Sequence, residues 1–161
     1  MTDSRLARKG SRGEGRRGTV LVVDDEPAML RLLRLILAGE GFTVIEAHGG
    51  AQAVEAAAAH PGPIHVLLTD ASLSRMSGRE LAQRLLVTRP GMRVLYMTTD
   101  FPLALGPADP SEGLDFVTKP LGVSALVRRV RELLAAGLAE AAAEPGPSFR
   151  APSVPPDDTK P

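Results

Sequence analysis

The chain has 161 residues, enough for one domain with a real core. Apolar residues make up 43% but aromatics only 3%, with no Trp and one Tyr, so Leu, Val, Ile and Ala must build the core. The formal net charge is zero, which gives no general attraction to nucleic acid or membrane, and the lack of cysteine excludes disulfides and thiolate metal sites.

Residues 1–18 carry Arg5, Arg8, Lys9, Arg12, Arg16 and Arg17 against Asp3 and Glu14, with four glycines and hardly any apolar residue. Such a stretch buries too little apolar area to offset its ordering entropy, and it reads as a disordered basic tail. Arg16-Arg17 begins a twin-arginine pattern, but only Val20–Val23 follows before two aspartates, too short for a signal peptide's apolar region. No apolar stretch approaches the roughly 18 residues of a membrane span. The expectation is a cytoplasmic protein with no membrane partner.

Val20–Val23 is a continuous apolar run rich in β-branched valine, as in a strand buried on both faces. Pro27 then opens a helix whose apolar stripe is Met29, Leu32, Leu33, Ile36 and Leu37, ended by Gly39 and Gly41. Phe42–Glu46 is a second strand, and Ala51–Ala59 an alanine-rich helix stopped by Pro61 and Pro63. Ile64–Thr69 is the third strand. Ser77-Gly78-Arg79-Glu80 has the form of a capping box opening a helix through about Thr88. Met92–Met97 and Leu114–Val117 are the fourth and fifth strands, and Val123–Leu138 closes the unit as a helix. Between the last two strands, Pro102, Gly106, Pro107, Pro110 and Gly113 leave room for little more than one helical turn.

Strands alternating with helices predict an α/β fold with a parallel sheet. The folded unit spans 19–139, followed by a disordered tail, 140–161, that holds six of the fourteen prolines. A basic tail that lacks aromatics and an amphipathic period reads as a solvated linker.

Three apolar runs stop at charges. Val20–Val23 ends at Asp24-Asp25, Ile64–Thr69 at Asp70, and Phe116–Thr118 at Lys119-Pro120. Open α/β sheets place ligands outside the carboxyl ends of their strands. Two carboxylates 4 Å apart repel by about 4 kcal/mol at an effective dielectric of 20, so such a cluster favours a positive occupant. Oxygen-only ligands suit Mg²⁺, and a carboxylate can serve as a nucleophile that forms an acyl phosphate. Asp70 is the better nucleophile, because a metal would occupy the adjacent pair. The chain has three lysines against sixteen arginines, and Lys119 alone lies outside the tails. A compact ammonium on a flexible stem can follow a phosphoryl oxygen. Thr98 can offer a hydroxyl to the same oxygen.

Singly, each residue has an ordinary explanation: an acidic helix start, a turn aspartate, a surface lysine. Jointly, at three strand ends, they point to one site. Other chemistries find no support. There is no G-x-G-x-x-G after a strand, no Walker lysine loop, no H-E-x-x-H and no G-x-S-x-G, and His48, His60 and His65 lack ligand spacing.

The segments Val20-Leu-Val-Val-Asp-Asp-Glu-Pro27, Leu68-Thr-Asp70, Met76-Ser-Gly-Arg-Glu-Leu81 and Thr118-Lys-Pro120 resemble the receiver domain of two-component response regulators, in order and over about residues 19–138. The resemblance implies a doubly wound, flavodoxin-like five-stranded sheet of order 2-1-3-4-5, here with a shortened or irregular fourth helix. It implies that Asp70 accepts a phosphoryl group from a histidine kinase or histidine phosphotransfer protein. By the same resemblance, Asp24, Asp25, Asp70 and the Ser72 backbone carbonyl hold Mg²⁺, Thr98 and Lys119 grip the phosphoryl group, and Phe116 is the aromatic switch residue.

The sequence departs from the family pattern at Ser74, where proline is usual, at Thr99, where Ala or Gly is common, and at Asp100 and the 100–113 segment. The expectation is a stand-alone response regulator with no DNA-binding domain, an unidentified protein target and a possible homodimeric state. It is expected to be a phosphoacceptor rather than an enzyme. Two alternatives are a phosphorylation-independent docking module and a phosphoryl relay or sink for a hybrid kinase.

Overall fold

The computed structural model describes residues 18–99 and 114–143. The elements run β1 (Thr19–Val23), α1 (Pro27–Gly39), β2 (Thr43–Ala47), α2 (Gly50–Ala59), β3 (Val66–Asp70), α3 (Gly78–Thr88), β4 (Arg93–Thr98), β5 (Asp115–Thr118) and α4 (Val123–Ala143). All four strand pairings are parallel and the sheet order is β2-β1-β3-β4-β5, as expected. The expectations for the two tails and for a shortened helix within 100–113 fall outside the described residues.

Alternation along the central strands divides the core into two layers. Val20, Val22, Val66, Leu68, Leu95 and Met97 face one way, onto Leu30, Leu33 and Leu37 of α1 and Leu126, Val130 and Leu133 of α4. Leu21, Val23, Leu67 and Tyr96 face the other way, onto Ala53 and Ala57 of α2 and Leu81 and Leu85 of α3. Covering on both faces explains why Val20–Val23 of β1 and Val66–Leu68 of β3 are uninterrupted apolar runs. Burying each such side chain contributes about 1.5–3 kcal/mol.

Strands β2 to β5 begin one or two residues later than the apolar runs predict. Phe42, Ile64 and Met92 are buried but precede the paired residues, filling the core below the ladder. The last helix reaches Ala143, past Leu138, because Ala139-Glu140-Ala-Ala-Ala143 has high helix propensity. The capping box is present: Ser77 Oγ accepts from Glu80 N at 3.1 Å, and Glu80 Oε2 accepts from Ser77 N at 2.8 Å.

Candidate functional site

Backbone pairing runs past the strand ends and carries the charged residues with it. Asp24 N donates to Ala47 O (3.3 Å), Ala71 N to Met97 O (2.9 Å) and Lys119 N to Thr98 O (2.8 Å). Asp24, Asp70, Thr98 and Lys119 therefore stand along one edge of the sheet, at the carboxyl ends of β1, β3, β4 and β5. The Lys119–Pro120 peptide bond is cis.

At this edge Lys119 Nζ lies 2.8 Å from Asp70 Oδ2 and 3.2 Å from Asp24 Oδ2. Asp24 is buried, at 2% exposure, while Asp70 and Lys119 are partly open to solvent. Burial disfavours the Lys119 ammonium, but hydrogen bonds and charge attraction from Asp70 and Asp24 outweigh it and raise its pKa above the ordinary value. The remaining oxygen of Asp24 accepts from Glu26 N at 2.9 Å, and that of Asp70 from Ser72 N at 2.9 Å. Each of these two carboxylates thus takes a backbone N–H on one oxygen and shares the single ammonium on the other.

Asp25 behaves differently. It is exposed, and its Oδ2 accepts from Ser74 N at 2.7 Å, across 49 residues of chain. Its Oδ1 faces Gly49, where a Cβ would stand 3.3 Å away. Among the described residues no three acidic or imidazole groups converge as a ready set of metal ligands.

Thr98 is buried at the end of β4, one residue beyond the Asp70–Met97 register pair. Phe116 is half-buried and pairs in register with Tyr96, against the α2–α3 side of the core. Thr99 is exposed at the site's edge, and Asp100 lies outside the described residues. The structure thus joins Asp24, Asp70 and Lys119 in direct contact, sets Thr98 on the neighbouring strand end, and holds Asp25 apart.

Sequence reasoning missed two glycines that shape the site. Gly78 passes so close to β3 that a Cβ there would be 2.3 Å from the Asp70 carbonyl oxygen. Gly49 has φ +122°, which a side chain rarely adopts, at the turn beside Asp25. The Gly49-Gly50 pair after β2 was the legible signal; Gly78 was hidden inside the capping box. An open groove lined by Pro63, His65, Arg89, Met92, Leu134 and Leu138 lies at the opposite edge of the sheet, away from these acids.

The response regulator receiver domain family model matches residues 20–131. The chain is 40% identical over 114 residues to the transcriptional regulatory protein KdpE of Mycobacterium tuberculosis, covering 70% of this chain and 49% of that protein. It is 36% identical over 124 residues to the probable transcriptional regulatory protein TcrX of the same species, covering 76% and 52%. Among solved structures, a CheY-like response regulator receiver domain protein of Methanospirillum hungatei superposes with a TM-score of 0.68 at 27% identity, covering 76% of this chain and 98% of that one.

These matches overturn one expectation. A stand-alone regulator with no DNA-binding domain does not fit relatives that are transcriptional regulatory proteins, and the chain spans only about half the length of those it matches. The expectation failed because it judged output from the letters present, whereas the receiver is one module of those longer proteins. Fold, register and family match agree: this chain belongs to the response regulator receiver domain family.

Proposed function

We propose that this receiver accepts a phosphoryl group from a histidine kinase onto Asp70 and, through Thr98 and Phe116, converts that event into altered protein contacts controlling a transcriptional regulator's output. The observation that carries the reading is the Asp70 carboxylate, partly exposed at a strand end, held by Lys119 at 2.8 Å beside the buried Asp24. A carboxylate oxygen of Asp70 attacks the phosphorus of a phosphohistidine. The new O–P bond forms as the P–N bond breaks, and the imidazole leaves with the electron pair and takes up a proton. Lys119 then follows the transferred group as a point charge, and the Thr98 hydroxyl turns toward it. Phe116 moves with Thr98, which biases the surface around β5 between two states. The proposed unit is 19–139, extended by the last turn of α4.

The donor chemistry fits Mg²⁺: three carboxylates and no thiolate or imidazole, with one ammonium to oppose them. Asp24, Asp25, Asp70 and the Ser72 carbonyl would hold the ion. Bound there, it would offset charge on the phosphoryl oxygens. Lys119 holds Asp24 and Asp70 side by side, and Ser72 N fixes the Asp70 rotamer.

Incubation with Mg²⁺ and a small phosphodonor labels the chain, and Asp70→Asn abolishes the label. Equal labelling of both proteins rules the assignment out. A second reading, a docking module that does not turn over phosphate, is favoured by the bond that ties Asp25 to the Ser74 amide. It predicts little Mg²⁺ binding, whereas the phosphoacceptor predicts saturable binding lost in Asp25→Asn.

A further inference from the structure

We propose that the backbone amide of Ser74 is a latch on Asp25, which a divalent cation must open before Asp25 can serve as its ligand. The inference rests on the reading of the acidic edge as a Mg²⁺ site and adds a conformational cost to it. The Ser74 N–H donates to Asp25 Oδ2 at 2.7 Å, short for an amide donor and typical of a carboxylate acceptor. This one bond ties the loop between β3 and α3 to the loop between β1 and α1.

With Oδ2 taken by Ser74 and Oδ1 facing Gly49, Asp25 is held apart from the pair of carboxylates that meets on Lys119. Among the described residues, no three acidic groups converge as a ready set of ligands. The latched loop is also closed at its base, where Gly78 N donates to Ala71 O at 2.9 Å and Ser72 bridges Ser77. Ser72, whose carbonyl is the expected fourth ligand, belongs to the same loop. Opening the latch therefore frees Asp25, while Ser72 stays fixed by its bridge to Ser77 and its bond to Asp70.

Ser74 acts here through its main chain, which makes it a positioning residue with an unusual mutational signature. A proline at 74 has no N–H and cannot form the latch. No described non-glycine residue has positive φ, so position 74 is outside the left-handed region that proline cannot enter. An alanine at 74 keeps the amide and the latch.

The test is a Mg²⁺ titration of the full chain followed by amide NMR, in the wild type, Ser74→Ala and Ser74→Pro. In the wild type the Ser74 amide is protected from solvent exchange without metal and loses that protection at saturation. Ser74→Ala binds Mg²⁺ like the wild type, and Ser74→Pro binds about tenfold more tightly, the scale of one hydrogen bond to a charged group. Protection that survives saturation overturns the latch, as does equal affinity of the wild type and Ser74→Pro, and both leave the metal site intact. Failure of Mg²⁺ to bind any of the three overturns the metal reading itself. The wild-type amide measurement stands even if the proline variant folds poorly.

Discussion

A Cβ on Gly78 would stand 2.3 Å from the carbonyl oxygen of Asp70, and 3.2 Å from the Cα of Ala71. The first turn of α3 therefore packs directly on the main chain that carries the proposed phosphoacceptor. Neither obstacle is the end of a flexible side chain, so relief requires a backbone shift. Gly78→Ala is expected to lose about 1–3 kcal/mol in urea unfolding, the usual cost of overpacking a tight site. It also lowers labelling at Asp70. Gly39→Ala is the matched control: nothing lies within 4 Å of that Cβ, and stability should hold or rise slightly.

The contrast between these glycines shows what was legible beforehand. Apolar runs at β1 and β3, Pro27 at the start of α1 and the Ser77–Glu80 capping box declare themselves locally, because each depends on residues within one or two turns. The convergence of Asp24, Asp70 and Lys119 was legible because parallel strands deliver their carboxyl ends to one edge. What stayed hidden depends on contacts between distant loops. Nothing near Ser74 marks its amide as a partner for Asp25, and nothing near Gly78 marks the approach of Asp70 O.

Lys119 gives the fold a stability profile that changes at alkaline pH. Its pKa is raised on folding above the ordinary 10.5, so the folded state holds the proton more tightly than the unfolded state. Its contribution is complete below 10.5 and disappears as pH climbs through the folded value. Lys119→Met leaves the buried Asp24 and its neighbour Asp70 without their ammonium. The expected loss is about 2–3 kcal/mol near pH 8, from charged hydrogen bonds removed. Urea unfolding at rising pH should show the gap between wild type and variant constant up to about pH 9.5 and shrinking beyond the ordinary lysine value.

Tyr96 supplies an intrinsic reporter for the proposed switch. It is the only tyrosine, the chain has no tryptophan, and its register partner on β5 is Phe116. If Thr98 and Phe116 move when Asp70 is phosphorylated, the packing around the buried Tyr96 changes with them. Its fluorescence should shift on adding Mg²⁺ and a phosphodonor, and Asp70→Asn should remain silent. Thr98→Ala should still take up label while losing most of the fluorescence response. A full response in that variant would show that the Thr98 hydroxyl does not drive Phe116.

Arg89, at the other end of the molecule, separates stability from signalling. Its guanidinium donates to three main-chain carbonyls, Ala57 O at 2.7 Å, His60 O at 2.8 Å and Gly62 O at 2.9 Å. One planar fork thus closes the carboxyl end of α2 and ties it to the end of α3, a task the single ammonium of lysine cannot match. Arg89→Ala strands those carbonyls and should cost about 2–3 kcal/mol. Arg89→Lys should recover less than half of the loss. Because this cap lies at the edge opposite Asp70, both variants should take up label at the wild-type rate under conditions where they remain folded. Slower labelling by folded Arg89→Ala would reveal coupling between the two edges of the sheet that no contact described among these residues provides.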